Sequence, residues 1–220
     1  MKLTELLKSI EIVQMLGNTD IEITAIQADS RRIENGNLFV AQTGTVVDGH
    51  EFIAQCIAQG AFAVVLDNPQ YMPTESNGTT YILVKNSNQA LGQMAHKWYG
   101  EPSKALRLIG VTGTNGKTTT SFMIWQMLNH AGLRAGLMTT VAWGVDKLQP
   151  ELNHMTTVDA FTLNSRIAEI KKQGAEFLVL EVTSHALAQF RTLGIPIEIA
   201  VFTNLTHDHL DYHKTVANYR

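Results

Sequence analysis

The sequence predicts an α/β protein in two parts. A small N-terminal α/β domain, residues 1–101, precedes a domain built on a phosphate loop (P-loop) and a mostly parallel sheet, residues 102–220, which the chain leaves truncated. Three observations point there. Continuous apolar runs of strand length alternate with segments whose apolar residues recur at helical spacing, the pattern of a parallel sheet covered on both faces. One of these runs, Leu108 to Val111, ends in a glycine-rich turn that opens a helix. Between the halves, Gly100-Glu101-Pro102-Ser103 follows a helical stretch and precedes a new apolar run, so it reads as a linker.

In the first part Leu38 to Ala41 is a short strand, and His50 to Gly60 is a helix with Phe52, Ile53, Cys56 and Ile57 on one face. Phe62 to Leu66 and Tyr81 to Val84 are apolar strands, joined by a surface loop, Asn68 to Thr80, rich in Pro, Asn, Gly, Ser and Thr. Asn88 to Tyr99 is a helix that buries Leu91, Met94, Ala95 and Trp98. In the second part the strand Leu108 to Val111 feeds a helix, Thr118 to Ala131. A helix at Leu163 to Gly174, a strand at Phe177 to Glu181, a helix at Ser184 to Leu193 and a strand at Ile199 to Thr203 follow. Only three clear strands of that sheet fall before Arg220, and Asp208 to Arg220 stops in mid-pattern, so the chain is expected to be part of a longer protein.

Composition excludes several classes. Of 220 residues 45% are hydrophobic and 17% charged, enough apolar material for a core. Lys and Arg total 17 against 20 Asp and Glu, and a net charge of −3 argues against a nucleic-acid partner held by bulk charge. The single cysteine, Cys56, allows no internal disulfide and fits a reducing compartment. It lies on the core side of its helix, as a small buried hydrophobe does. Met1 to Glu11 alternates Leu with Lys and Glu and lacks the apolar stretch of a signal peptide. No window approaches the ~18 uninterrupted apolar residues of a membrane helix. A cytoplasmic protein with no membrane insertion is expected.

The chemistry concentrates in two places. Gly110-Val111-Thr112-Gly113-Thr114-Asn115-Gly116-Lys117-Thr118-Thr119 lies between a strand and a helix. Backbone N–H groups of such a loop form an anion nest backed by the helix N-terminus, and glycines keep side chains out of it. Lys117 is placed to reach the outer phosphates of a nucleotide and Thr118 to hold Mg²⁺. The strict phosphate-loop pattern has Gly where this chain has Val111, but the core Gly113-x-x-Gly116-Lys117-Thr118 is intact. The second place is the carboxyl end of the strands, where open α/β sheets bind ligands. Glu181 ends one strand there and suits Mg²⁺, which prefers oxygen ligands. After the next strand, His207-Asp208-His209-Leu210-Asp211-Tyr212-His213 packs three His and two Asp into seven residues. The spacing is one residue longer than the His-x-His-x-Asp-His of dinuclear zinc hydrolases, which stand as a remote alternative. His96, His130 and His154 read as ordinary surface or boundary residues.

Together these runs resemble the Mur ligase family, and within it the UDP-N-acetylmuramoyl-tripeptide synthetase branch that adds the third amino acid to the peptidoglycan precursor. The resemblance covers about Asp29 to His213. It rests on Asp29-Ser30-Arg31-Arg32, Gly36-x-Leu38-Phe39-Val40-Ala41 and Asp48-Gly49-His50-x-Phe52-Ile53 in the first part. In the second it rests on Gly110 to Thr120, Glu181-Val182-Thr183-Ser184-His185-Ala186-Leu187, and Phe202 to His213. Val158 departs from the family's usual Pro, and Thr183 replaces a Ser while keeping the hydroxyl.

The resemblance implies a longer, three-domain enzyme whose domain for the incoming amino acid, and a carbamylated lysine, lie beyond this sequence. Residues 1–101 would be its UDP-substrate domain and 102–220 the front of its ATPase domain. The implied reaction is ATP-dependent amide ligation through an acyl phosphate, with UDP-MurNAc-L-Ala-D-Glu and a diamino acid (Lys or diaminopimelate) as partners and ATP and Mg²⁺ as cofactors. Lys117, Glu181 and His209 would be catalytic. Gly113, Thr114, Asn115, Gly116, Lys117, Thr118 and Thr119 would bind ATP, and Thr118, Glu181 and His209 the metal. Ala28, Ser30, Thr45, Val46 and Val47 would contact the uridine end of the substrate. Thr156, Thr157, Thr183, Gln189 and Arg191 would hold its diphosphate and peptide end. The full-length enzyme would be a monomer. Alternatives are a non-catalytic fragment that binds UDP-sugar and nucleotide, another ligase of the family, and a P-loop kinase or GTPase-type switch, which would end its strand in Asp where this chain has Glu181.

Overall fold

The computed structural model describes residues 1–43, 47–151 and 157–219. The chain divides into two compact units, Met1–Trp98 and Tyr99–Arg220.

The first unit contains α1 (Leu3–Leu7), β1 (Ile12–Leu16), β2 (Ile26–Gln27), β3 (Leu38–Val40), α2 (Ile53–Ala58), β4 (Ala63–Leu66), β5 (Thr80–Val84) and α3 (Ser87–Trp98). Its sheet runs in the order β1-β5-β4-β3-β2. β2 to β5 are mutually parallel, and β1 closes one edge antiparallel to β5. β3 and β4 are buried at every position, which is why they read as unbroken apolar runs. Against them pack Ile53 and Cys56, the latter fully buried.

The helix expected over His50 to Gly60 begins instead as a 3-10 turn, Gly49–Phe52, before α2. Asp48 causes this, because its carboxylate accepts the His50 backbone N–H at 3.0 Å and tightens the entry. The His50 ring is fully enclosed, with Nδ1 2.6 Å from Asp48 Oδ1 and Nε2 3.3 Å from the backbone nitrogens of Asp67 and Asn68. Asp67 Oδ2 in turn accepts from the N–H and hydroxyl of Ser87, both at 2.9 Å, and so caps α3 from a distant part of the chain. His96 is buried, where its sequence context suggests a surface or boundary residue. Both α1 and β4 pack on α3, so that helix is covered on more than one side.

The second unit contains β6 (Arg107–Thr112), α4 (Lys117–His130), β7 (Ala135–Met138), β8 (Ala142–Gly144), β9 (Gln149–Pro150), α5 (Ala160–Lys172), β10 (Phe177–Glu181), α6 (Ser184–Ala188), β11 (Ile197–Phe202), α7 (Leu210–His213) and α8 (Val216–Tyr219). Its sheet has six strands in the order β11-β6-β10-β7-β8-β9, where three were clear from the sequence. β11, β6, β10 and β7 are parallel, and β8 and β9 extend the sheet antiparallel. β7 escapes a sequence reading because Ala135-Gly136-Leu137-Met138 is short and contains glycine. The glycine is a packing requirement: a Cβ on Gly136 would stand 2.5 Å from Ile170 Cγ2 of α5.

Leu163, Ile167 and Ile170 of α5 pack on one face of the sheet with Leu108, Leu178 and Leu180. Phe122 and Trp125 of α4 pack on the other with Val111, Leu137 and Val179. Coverage of both faces by helices matches the sequence pattern. The helix expected over Ser184 to Leu193 stops at Ala188, because Phe190 takes a φ of 55° and the Arg191 N–H turns back to Ala186. No helix among the described residues is long and apolar enough to cross a membrane.

Candidate active site

β6, β10 and β7 end side by side in register, so the turns that follow them converge. After β6 the chain enters the loop Gly113–Gly116. Gly113 has a φ of 134°, and a Cβ there would lie 2.2 Å from Thr203 Oγ1 and 2.8 Å from the Asn204 carbonyl. Only glycine fits that conformation and that space. α4 then starts from Gly116, with a φ of 83° and no side chain capping its first turn. By contrast, Asp159 caps α5 by accepting from the N–H groups of Phe161 and Thr162, both at 3.0 Å. The first-turn amides of α4 therefore remain as donors for an anion. Lys117 Nζ donates to the carbonyls of Gly113 and Thr114 at 2.8 and 2.9 Å, which holds the ammonium over the loop. Thr119 is exposed one turn into the helix.

Glu181, the last residue of β10, is buried at 2% exposure. Its Oε2 accepts from Thr118 Oγ1 at 3.0 Å, and from the N–H and hydroxyl of Thr140 at 3.1 and 3.2 Å. Thr118 and Glu181, both singled out in the sequence, are in direct contact. Thr140 was not singled out, and its signal was hidden with β7, whose end it follows. A hydroxyl and a carboxylate converging beside an uncapped helix start are oxygen donors of the kind Mg²⁺ takes, so these residues fit the ion.

A second network surrounds Thr157, which is buried. Its hydroxyl donates to the Glu181 carbonyl at 3.1 Å and accepts the Thr183 N–H at 3.2 Å. Arg191 Nη1 donates to the Thr157 carbonyl at 2.5 Å, and Arg191 Nε to Gln189 Oε1 at 3.0 Å. Gln189 Nε2 reaches the Tyr212 hydroxyl at 3.3 Å. Thr157, Thr183, Gln189 and Arg191 thus form one chain of contacts, with the Thr157 hydroxyl turned inward.

His209 lies on the turn that opens α7. Its ring lies edge-on to His185, 4.8 Å between centroids, and 6.0 Å from that of Tyr219. Burial, and then the charges of His209, His213 and Arg191, lower the pKa of His185. His213 Nε2 sits 2.9 Å from Ser184 Oγ. Among the described residues no three His, Cys, Asp or Glu are grouped to hold a metal ion.

Of the substrate residues in the first unit, Ala28 is exposed, and Ser30 opens a 3-10 turn capped by Asp29. Val47 is half exposed. Thr45, Val46 and Thr156, with His154, lie outside the described residues.

Known proteins share both units. The chain is 43% identical over 220 residues to a UDP-N-acetylmuramoyl-L-alanyl-D-glutamate–2,6-diaminopimelate ligase of Parabacteroides distasonis, covering all of this chain and 44% of that protein. Proteins of the same name from Bacteroides fragilis and Bacillus cereus are 44% and 41% identical, again over all of this chain and 44% of theirs. The chain therefore spans less than half the length of these curated relatives. A solved structure of a ligase of that name superposes with a TM-score of 0.79 at 32% identity, covering 100% of this chain and 43% of that one. MurF from Acinetobacter baumannii, at 21% identity and a TM-score of 0.61 over 99% of this chain and 44% of its own, shares the fold. The model of the Mur ligase family catalytic domain matches residues 22–99. That of the Mur ligase middle domain matches residues 111–220, half of the chain, and the protein belongs to the Mur ligase family.

Proposed function

We propose that this chain is the UDP-substrate domain and the front of the ATP-binding domain of a longer ligase. That ligase joins a diamino acid to UDP-MurNAc-L-Ala-D-Glu in the cytoplasm, using ATP and Mg²⁺. The observation that carries the reading is the uncapped start of α4 beside the Thr118–Glu181 pair, on a chain similar along its whole length to ligases of that name.

A carboxylate is a poor electrophile, so amide formation needs it activated as an acyl phosphate. Phosphoryl transfer is governed by positioning and charge stabilisation. The free amides of Gly116 to Thr118 orient the phosphate chain. Lys117 exchanges its two loop carbonyls for β and γ oxygens and offsets their charge. Thr118 and Glu181 would hold one Mg²⁺ and His209 a second, and that metal supplies charge neutralisation at the transferring phosphoryl group. Thr140 fixes the Glu181 carboxylate in place. Arg191 would turn its guanidinium from the Thr157 carbonyl and Gln189 onto a substrate anion, its planar fork matching two oxygens. In the first unit, Ala28, Ser30 and the segment Thr45 to Val47 contact the uridine end.

The test is ligation by the full-length protein, with UDP-MurNAc-L-Ala-D-Glu, ATP, Mg²⁺ and either lysine or diaminopimelate, read by mass spectrometry. The expected product is the tripeptide, with one ADP released per amide. Absence of product with both amino acids would sink the reading.

A further inference from the structure

We infer that Tyr219 is a positioning residue for the phosphate loop, holding Thr114 through its phenol while its ring supports the histidines beside it. The inference rests on the nucleotide-binding reading above.

Tyr219 is buried, and its hydroxyl lies 2.9 Å from Thr114 Oγ1 in a fully enclosed contact. Thr114 is tied on its other sides to the stretch after β11. Its N–H donates to the Asn204 carbonyl at 2.9 Å, and its Oγ1 accepts the Thr206 N–H at 2.9 Å. The next residue continues this seam: Asn115 N–H donates to Asn204 Oδ1 at 3.1 Å, and Asn204 Nδ2 donates to the Asn115 carbonyl at 2.9 Å. One side of the loop is thus zipped to residues 203–206, and the phenol of Tyr219, arriving from α8, completes the hydrogen bonding of Thr114. The Tyr219 ring also lies 5.3 Å from that of His213 and edge-on to that of His209. A single side chain therefore bridges the loop and the histidine turn.

An anion nest binds well only if its amides are already aimed, because ordering them on binding consumes affinity. Without the phenol, a buried hydroxyl loses a partner and the loop loses a strut.

The test measures ATP and Mn²⁺ affinities of the full-length protein by calorimetry and electron paramagnetic resonance. The variants are Tyr219→Phe, Thr114→Val, Thr114→Ser, the Tyr219→Phe/Thr114→Val double and Lys117→Ala. Tyr219→Phe keeps the ring, and should weaken ATP about three- to tenfold and lower the melting temperature slightly, while Mn²⁺ affinity stays at the wild-type value. Thr114→Ser, which keeps the hydroxyl, should be weakened less than Thr114→Val. The double variant should be no weaker than the weaker single, since both remove the same contact. Wild-type ATP affinity in Tyr219→Phe, or additive losses in the double, would overturn the inference. ATP binding that Lys117→Ala leaves unchanged would overturn the nucleotide reading itself, and the inference with it.

Discussion

Lys117 shows how a charge waits for its ligand. Its ammonium is held by two carbonyls of its own loop, and among the described residues no carboxylate forms a salt bridge with it. Phosphate oxygens are better partners than neutral carbonyls because the hydrogen bonds become charge-assisted. Lys117→Ala in the full-length enzyme should lower kcat/KM on the order of a thousandfold, with little change in melting temperature. Steady-state kinetics with ATP varied checks this, and near wild-type turnover would refute the role. Cys56 makes the opposite case of a reactive group silenced by packing. Burial pushes its thiol up to about 11. At pH 8 the folded protein should resist a disulfide reagent that labels it at once in denaturant. The sign for stability follows. Above the ordinary thiol value the unfolded chain releases this proton while the folded chain retains it, so the contribution of Cys56 to stability falls as pH rises through that window. Urea titrations of wild type and Cys56→Ala at pH 8 and 10 should therefore converge as pH rises.

At the scale of elements, β6 and β11 fix the phosphate loop between them. The same glycine that permits the turn also lets residues 203–204 approach it, so Gly113→Ala fails twice, through the backbone angle and through the clash. That variant should lose ATP binding and melt at lower temperature, measured by calorimetry and thermal denaturation together. Loss of binding with unchanged stability would mean that the seam to β11 contributes nothing. Gly110 shows the milder version, since a Cβ there would meet Ile197 of β11 at 3.1 Å, a contact that side-chain adjustment can relieve. α4 and α5 illustrate division of labour between helix starts. α5 closes its own first turn with Asp159, whereas α4 leaves its first turn to be satisfied by a ligand.

For the whole molecule, β11 is the exposed edge of the second sheet. Among the described residues it pairs with β6 alone, and Ile199 and Phe202 are 44% and 63% exposed. An open apolar edge is a template for pairing with another chain. The 220-residue chain should therefore self-associate with rising concentration in sedimentation velocity, and Ile199→Lys should shift it toward monomer. A wild-type chain that stays monomeric at high concentration would show that the edge is protected. The same chain should give no tripeptide by mass spectrometry in the ligation assay, since it spans less than half of its relatives' length.

The sequence by itself determined the α/β class, the strands β3, β4, β5, β6, β10 and β11, and the phosphate loop that opens α4. Each follows from local chemistry: unbroken apolar runs mean strands buried on both faces, and a glycine-rich turn before a helix leaves its amides free. Tertiary structure decided the rest. β7, β8 and β9 are only four, three and two residues long and exist through the neighbours they pair with, not through their own propensity, and β1 is set as a strand by its antiparallel pairing with β5. The burial of His96, the inward turn of the Thr157 hydroxyl, and the contacts of Thr140 with Glu181 and Tyr219 with Thr114 join residues far apart in sequence. No local pattern encodes such distances, because they are fixed only when packed strands and helices bring their ends together.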